Sequence, residues 1–143
     1  MNRLSPFLLL AVCSLGIMKA HAGSAVVMST NGYYGYAYGS SLTQKAAEQK
    51  ATELVRQKGG TDIRTVASVG GGGYSSVAVS GKGPGAMIGA ALGYRSSAQA
   101  DYKAQQNCKQ KGGSDPHIVR SWSNGSASGS SRWKGSGQGV VKL

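Results

Sequence analysis

The chain has 143 residues, with 16 lysines and arginines against 5 aspartates and glutamates, 23 glycines and 2 cysteines. This length makes one small domain with a modest core, and the formal net charge of +11 favours anionic partners. A zinc site needs three or four His, Cys or carboxylate ligands, and the 2 histidines, 2 cysteines and scattered acids form no such group, so we expect neither a metal nor a cofactor.

The N-terminal segment 1–22 has the pattern of an export signal. Arg3 supplies a positive start, residues 4–18 are mostly apolar, and residues 20–22 (Ala-His-Ala) form a small-x-small cleavage sequence. We therefore expect an exported protein of the periplasm or the extracellular space, with no transmembrane segment in the mature chain. Two alternatives stay open: a retained N-terminal anchor, and a lipoprotein modified at Cys13.

The next segment predicts two strands, and the second is rich in tyrosine. A first strand is predicted over residues 25–28, and the turn signal at residues 31–32 leads from it to the second. There Tyr34, Tyr36 and Tyr38 share one face, because side chains alternate along a strand. This ladder is either a stacking platform for a ligand or a half-buried sheet face, so the three tyrosines are candidate ligand-binding residues.

Two helices with alanine-rich faces are predicted. The first covers about residues 42–58, with Ser41 or Thr43 as its N-cap, and the second follows the N-cap Ser96. Apolar residues recur at helical spacing in both, which predicts a face that packs closely on a sheet. These residues are Ala47, Ala51, Leu54 and Val55 in the first helix and Ala100, Ala104 and Cys108 in the second.

The turn that ends the first helix returns 53 residues later, so that residues 57–62 (QKGGTD) match residues 110–115 (QKGGSD). Glycine enters the left-handed region without a Cβ penalty, and the preceding lysine meets the negative end of the helix dipole. Each motif therefore predicts a helix stop followed by a strand. Further matches at the same offset on both sides of the motif indicate one supersecondary unit made twice.

This repeat organises the expected fold. We assign residues 23–125 to one domain of two tandem β-α-β-β copies, about 33–80 and 86–125. In the first copy, residues 63–69 and 74–80 are expected to form a hairpin across a glycine-rich turn. The expected class is α+β, with one mostly antiparallel sheet and both helices packed on one of its faces.

The C-terminal residues 126–143 are predicted to form a Gly/Ser-rich basic tail, whose last residues, 140–143, can add an edge strand. Within it, Arg132, Trp133 and Lys134 combine two cations with an indole. They form the second set of candidate ligand-binding residues.

A resemblance to a known family rests on residues spread over both copies. They are Gly35-Tyr36-Ala37-Tyr38, Ser96-Ser97, Ala100, Ala104, Cys108 and Trp122-Ser123-Asn124-Gly125. On these residues the chain resembles the bacterial family called domain of unknown function 4189, over about residues 33–127. The resemblance implies export and tandem strand-helix-strand units, and it implies no established activity.

The cysteine of the second helix decides whether an enzyme is expected. Cys108 matches Val55 in the repeat, which predicts a buried thiol. The alternative is a reactive or intermolecular thiol, and a pair of Cys108 with His117 is the one nucleophile arrangement that the sequence offers. Because a nucleophilic cysteine needs an accessible thiolate, we expect a non-catalytic protein.

Charge then remains as the functional signal. We expect an exported binding protein of the cell envelope or extracellular space that engages an anionic partner through a basic surface. No nucleic-acid motif is present, so no specific nucleic-acid partner is expected. The alternatives are a secreted inhibitor or immunity-type protein that blocks a partner enzyme, and an enzyme that uses Cys108 and His117.

Overall fold

The computed structural model describes residues 22–124 and 136–143. The predicted signal segment up to residue 21, with Cys13, and the candidate residues Arg132, Trp133 and Lys134 lie outside this part of the chain. The described elements are β1 (Gly23–Met28), β2 (Tyr33–Gly39), α1 (Gln44–Gln57), β3 (Arg64–Val69), β4 (Gly73–Ser80), β5 (Met87–Tyr94), α2 (Ser97–Gln110), β6 (His117–Asn124) and β7 (Gly137–Lys142), with a 3-10 turn at Gly83–Gly85.

The strands form two antiparallel sheets. One has the order β3-β1-β2-β7 and the other β5-β4-β6. The predicted α+β class is confirmed, whereas the single sheet with both helices on one face is wrong. The central strands β1 and β4 are buried along almost their whole length, so each sheet has two faces to cover. A helix covers one face and the other sheet covers the second.

The main core lies between the two sheets. Val26 and Tyr34 of the first sheet meet Val77, Ile88 and Trp122 of the second there. A smaller cluster joins α1 to the outer face of the first sheet, and another joins α2 to the outer face of the second. The protein is therefore layered as helix, sheet, sheet and helix.

The strands are grouped differently from the prediction. β3 and β4 lie in separate sheets, so the expected hairpin across residues 70–73 does not form. β4 instead occupies the centre of the second sheet, as β1 occupies the centre of the first. The two groups of elements in chain order are thus β1-β2-α1-β3 and β4-β5-α2-β6, each with the order β-β-α-β.

Corresponding positions in these groups have corresponding geometry. Both helices have 14 residues, and the residues that follow them, Gly59 and Gly112, have φ values of +96° and +102°. The predicted helix stops therefore use glycine where a side chain would be strained. Thr43 caps α1 by accepting a hydrogen bond from the Ala46 amide at 3.0 Å, so the prediction of Ser41 as the N-cap is wrong and that of Thr43 is confirmed. Ser96 caps α2 as predicted.

Both helices pack directly on the backbone of their sheet. The buried face of α1 is formed by Ala47, Ala51 and Val55, and that of α2 by Ala100, Ala104 and Cys108. Leu54, which the pattern also predicts on the face of α1, is only half-buried. Strand glycines lie beneath both faces. A Cβ atom added to Gly35 would lie 3.0 Å from the carbonyl oxygen of Ala51, and one added to Gly89 would overlap the backbone of α2. Small residues on both partners thus set the short distance between helix and sheet.

The last strand extends the first sheet. β7 pairs antiparallel with β2, so that Gly139 lies opposite Tyr36 and Gly137 opposite Tyr38. A side chain at either glycine would overlap the tyrosine ring opposite it, so the glycines of β7 make room for the tyrosines of β2. Within the described residues, no helix is long and apolar enough to cross a membrane.

Candidate functional site

The predicted tyrosine ladder lies inside the protein. Tyr34 and Tyr36 are only 2% and 5% exposed. Trp122 of β6 stacks on Tyr36 with a centroid distance of 5.6 Å and on Tyr38 with a distance of 5.0 Å, and Arg120 lies over the Tyr36 ring at 4.8 Å. Two of the three rings therefore have no free face for a ligand, and the buried-face alternative describes them.

Tyr38 lies at the margin of this stack. It is half-buried and borders a cavity of about 380 Å³ together with Lys50 and Ser136. A role for Tyr38 in ligand binding stays a prediction. The sequence pattern correctly places the three tyrosines on one face, but it contains no information about the second sheet that covers this face.

The thiol of Cys108 is enclosed. The residue is fully buried between α2 and the second sheet, and its Sγ donates a 3.4 Å hydrogen bond to the Met87 carbonyl oxygen. Burial raises the pKa of this thiol, and the nearby Lys111 only partly opposes that rise. His117, by contrast, is exposed at the start of β6. The predicted burial of Cys108 is observed, and the nucleophile arrangement lacks an accessible thiolate.

We expect the native protein to resist thiol labelling. Cys108 should react with a soluble disulfide reagent at least about a thousandfold more slowly than the same chain in denaturant, because labelling requires an opening of the structure. The measurement is absorbance of the released thiolate in buffer and in 6 M guanidinium, on a chain that lacks residues 1–22 and therefore Cys13. Rapid stoichiometric labelling of the folded protein would contradict the buried position.

A cleft of about 600 Å³ lies at one end of the space between the sheets. It lies where the end of β1 and the start of β3 face the 3-10 turn, the start of β5 and the end of α2. Its lining residues are Met28, Ser29, Thr30, Arg64, Thr65, Val66, Pro84, Gly85, Ala86, Met87, Ile88 and Lys111. We call it the inter-sheet cleft.

Two cations and no acid line the inter-sheet cleft. Arg64 is the first residue of β3, and Lys111 is the C-cap of α2. The one ion pair among the described residues joins Arg56 to Glu53, so neither cleft cation is paired with a carboxylate there. Asp62 lies next to this rim, where it accepts a hydrogen bond from the hydroxyl of the lining residue Thr30 at 3.4 Å.

The two cations repel each other across the inter-sheet cleft. The pKa of Lys111 lies below its ordinary value, first because the ammonium is partly desolvated and second because Arg64 is nearby. Like charges held together in this way favour a bound anion, which relieves the repulsion and restores lost solvation. The cleft is therefore suited to a negatively charged group.

Sequence reasoning missed this pair. The sequence predicts only that the charge of Lys111 complements the dipole of α2, and no pattern in it marks Arg64. The two residues come from different halves of the chain, and the tertiary structure brings both to the lining of one cleft. The available signal was that Arg64 follows the first Gly-Gly motif and Lys111 lies in the second. Other cations lie near both motifs, so this signal does not specify which two line the same cleft.

The described residues contain no group of three His, Cys, Asp or Glu side chains that could hold a metal ion. Comparison with protein families matches residues 74–141 to a family described as Domain of unknown function (DUF4189). The matched range runs from β4 into β7, and it confirms the resemblance inferred from the sequence over that part of the chain. No curated protein and no solved structure matches the chain.

Proposed function

We propose that this chain, whose residues 74–141 match the family described as Domain of unknown function (DUF4189), is a non-catalytic protein that binds an anionic group in the inter-sheet cleft. The observation that carries the proposal is the pair of unpaired cations, Arg64 and Lys111, facing one cavity without a lining acid. The export pattern of residues 1–22 supports a place of action in the periplasm or outside the cell.

Both the long-range attraction by the net charge and the short-range hydrogen bonds of the two cations support the same proposal. The chain carries a formal net charge of +11, which attracts anions from a distance and is screened by salt. At short range, a hydrogen bond to a charged group contributes about 1.5–3 kcal/mol. Arg64 offers a planar fork of donors and Lys111 a mobile ammonium, and together they match the several oxygens of one carboxylate, sulfate or phosphate group.

The enzyme alternative has less support. It depends on the thiol of Cys108, and that thiol is buried with a raised pKa. The imidazole of His117 is exposed on β6, where its residue pairs with Val79 of β4. A non-catalytic role is therefore the one that the described residues favour.

The proposal predicts anion binding that depends on both cleft cations. Titration with sodium sulfate, followed by NMR at low ionic strength, should shift the backbone signals around Arg64 and Lys111. It should also raise the pKa of Lys111 towards its ordinary value of 10.5, because a bound anion stabilises the ammonium. The double variant Arg64→Gln/Lys111→Gln should bind sulfate at least about tenfold more weakly.

Lys58→Gln provides a matched control. Lys58 is the C-cap of α1, as Lys111 is of α2, so its replacement removes the same charge from an equivalent helix end outside the inter-sheet cleft. Sulfate affinity should stay within about twofold of the parent protein for this variant. Equal losses in the control and the double variant, or no loss in the double variant, would refute the proposal.

A further inference from the structure

The apolar residues that form the floor of the inter-sheet cleft indicate which class of anion it binds. Resting on the proposed function, we infer that the ligand is a single-chain anionic amphiphile, a fatty-acid-type carboxylate whose head lies between Arg64 and Lys111. Its alkyl chain occupies the apolar floor. The inference rests on the apolar residues that line the cleft together with the two cations. The proposal of an anion site does not use these apolar residues.

These floor residues belong to the main core. Ala86 and Ile88 are buried members of the cluster between the sheets, and Met28 and Val66 pack against that cluster. All four also line the inter-sheet cleft. The cleft is thus the open end of the core, and an alkyl chain placed there would continue the packing of the two sheets.

Met87 adds exposed apolar surface to the lining of the inter-sheet cleft. The residue is 38% exposed and is the first of β5, where it alternates with the buried Ile88. Methionine is unbranched and polarizable, so it adapts to irregular apolar ligands. An alkyl chain that covers Met87 would remove exposed apolar surface from water, which a purely polar anion does not do.

Size and charge select an amphiphile over a polymer. A volume of about 600 Å³ lies within the range of about 300–1,000 Å³ typical of small-molecule sites. One chain with one charged head fills such a space, whereas an extended polyanion would meet only the two cations at the rim.

The test is a series of sodium carboxylates from acetate to dodecanoate, each below its micelle concentration, measured by calorimetry on the folded protein. Affinity should rise about two- to fourfold for each added methylene until the floor is filled, and then level off. Met87→Gln should weaken dodecanoate binding on the order of tenfold and leave acetate and sulfate unchanged. Met87→Leu, which keeps an apolar side chain, should retain the parent affinity.

The outcomes separate this inference from the proposed function. If sulfate and acetate bind through Arg64 and Lys111 but chain length has no effect, the amphiphile inference is overturned and the anion site stands. If the Arg64→Gln/Lys111→Gln variant binds every probe as the parent does, both fail. A chain-length gain that is identical in the parent and Met87→Gln would also overturn the inference, since the floor would then not be used. Circular dichroism and thermal melting check that each variant is folded.

Discussion

Replacing Gly89 by alanine is expected to lower the free energy of unfolding by more than about 3 kcal/mol, or to prevent folding. The new Cβ would overlap the Ala104 carbonyl oxygen and the Cys108 amide nitrogen, and it would lie 2.8 Å from the Cys108 Cα. All three are backbone atoms of α2, so no side-chain rotation can relieve the contact. The helix would have to move away from the sheet and open the packing around Ala78 and Ala91.

Alanine substitutions at two other glycines provide comparisons for Gly89→Ala, with stability measured by urea unfolding and thermal melting. Gly71→Ala is the control, because a Cβ there has no heavy atom within 4 Å and the backbone requires no positive φ. The free energy of unfolding of Gly71→Ala should differ from that of the parent by less than about 1 kcal/mol, because the substitution mainly reduces the conformational freedom of the unfolded chain. Gly35→Ala should be intermediate, because its one contact below 3.0 Å is with a side-chain atom, Val55 Cγ2 at 2.5 Å, and the backbone oxygen of Ala51 lies further away at 3.0 Å. A Gly89→Ala protein as stable as Gly71→Ala would contradict the packing described.

Truncation of Trp122 to alanine is expected to cost about 3–5 kcal/mol and to lower the melting temperature by about 15 °C or more. The indole is 7% exposed and stacks on Tyr36 and Tyr38 across the two sheets. Its Nε1–H also donates to the Ser24 hydroxyl at 3.2 Å. Alanine would therefore leave a cavity in the main core. It would also remove the hydrogen bond that links β6 to β1.

Trp122→Phe separates the stacking from the hydrogen bond. Phenylalanine keeps an aromatic ring between the sheets and loses the donor, while Ser24 still accepts from the Asn124 amide at 3.3 Å. We expect a cost of about 1–2 kcal/mol, well below that of alanine. Chemical unfolding monitored by circular dichroism gives both values, since the signal does not depend on the indole. Equal costs for phenylalanine and alanine would show that stacking contributes little.

Local order was the part of this fold that sequence patterns could predict. The two Gly-Gly motifs mark the ends of both helices, and the spacing of Ala47, Ala51 and Val55 identifies the buried face of α1. The match between Val55 and Cys108 predicts a buried thiol, as observed. These features depend on helix geometry and capping, which act over a few residues.

Pairing between distant strands was the part that those patterns left open. The run of glycines at residues 70–73 is compatible with a hairpin and equally with a crossing between sheets, because both need only a flexible connection. Strand alternation puts Tyr34 and Tyr36 on one face, but a ligand, water or a second sheet can cover such a face. The observed cover is Trp122, which lies more than 80 residues further along the chain.

Composition and local patterns are enough to predict the basic charge, the positions of both helices and their stops, and most of the residues that face a sheet. These follow from composition and from interactions between near neighbours in the chain. The tertiary structure is needed to see that there are two sheets, which tyrosine faces are closed, and that Arg64 and Lys111 line the same cleft. Those outcomes depend on long-range packing, because each strand has two buried faces and no local pattern states what covers them.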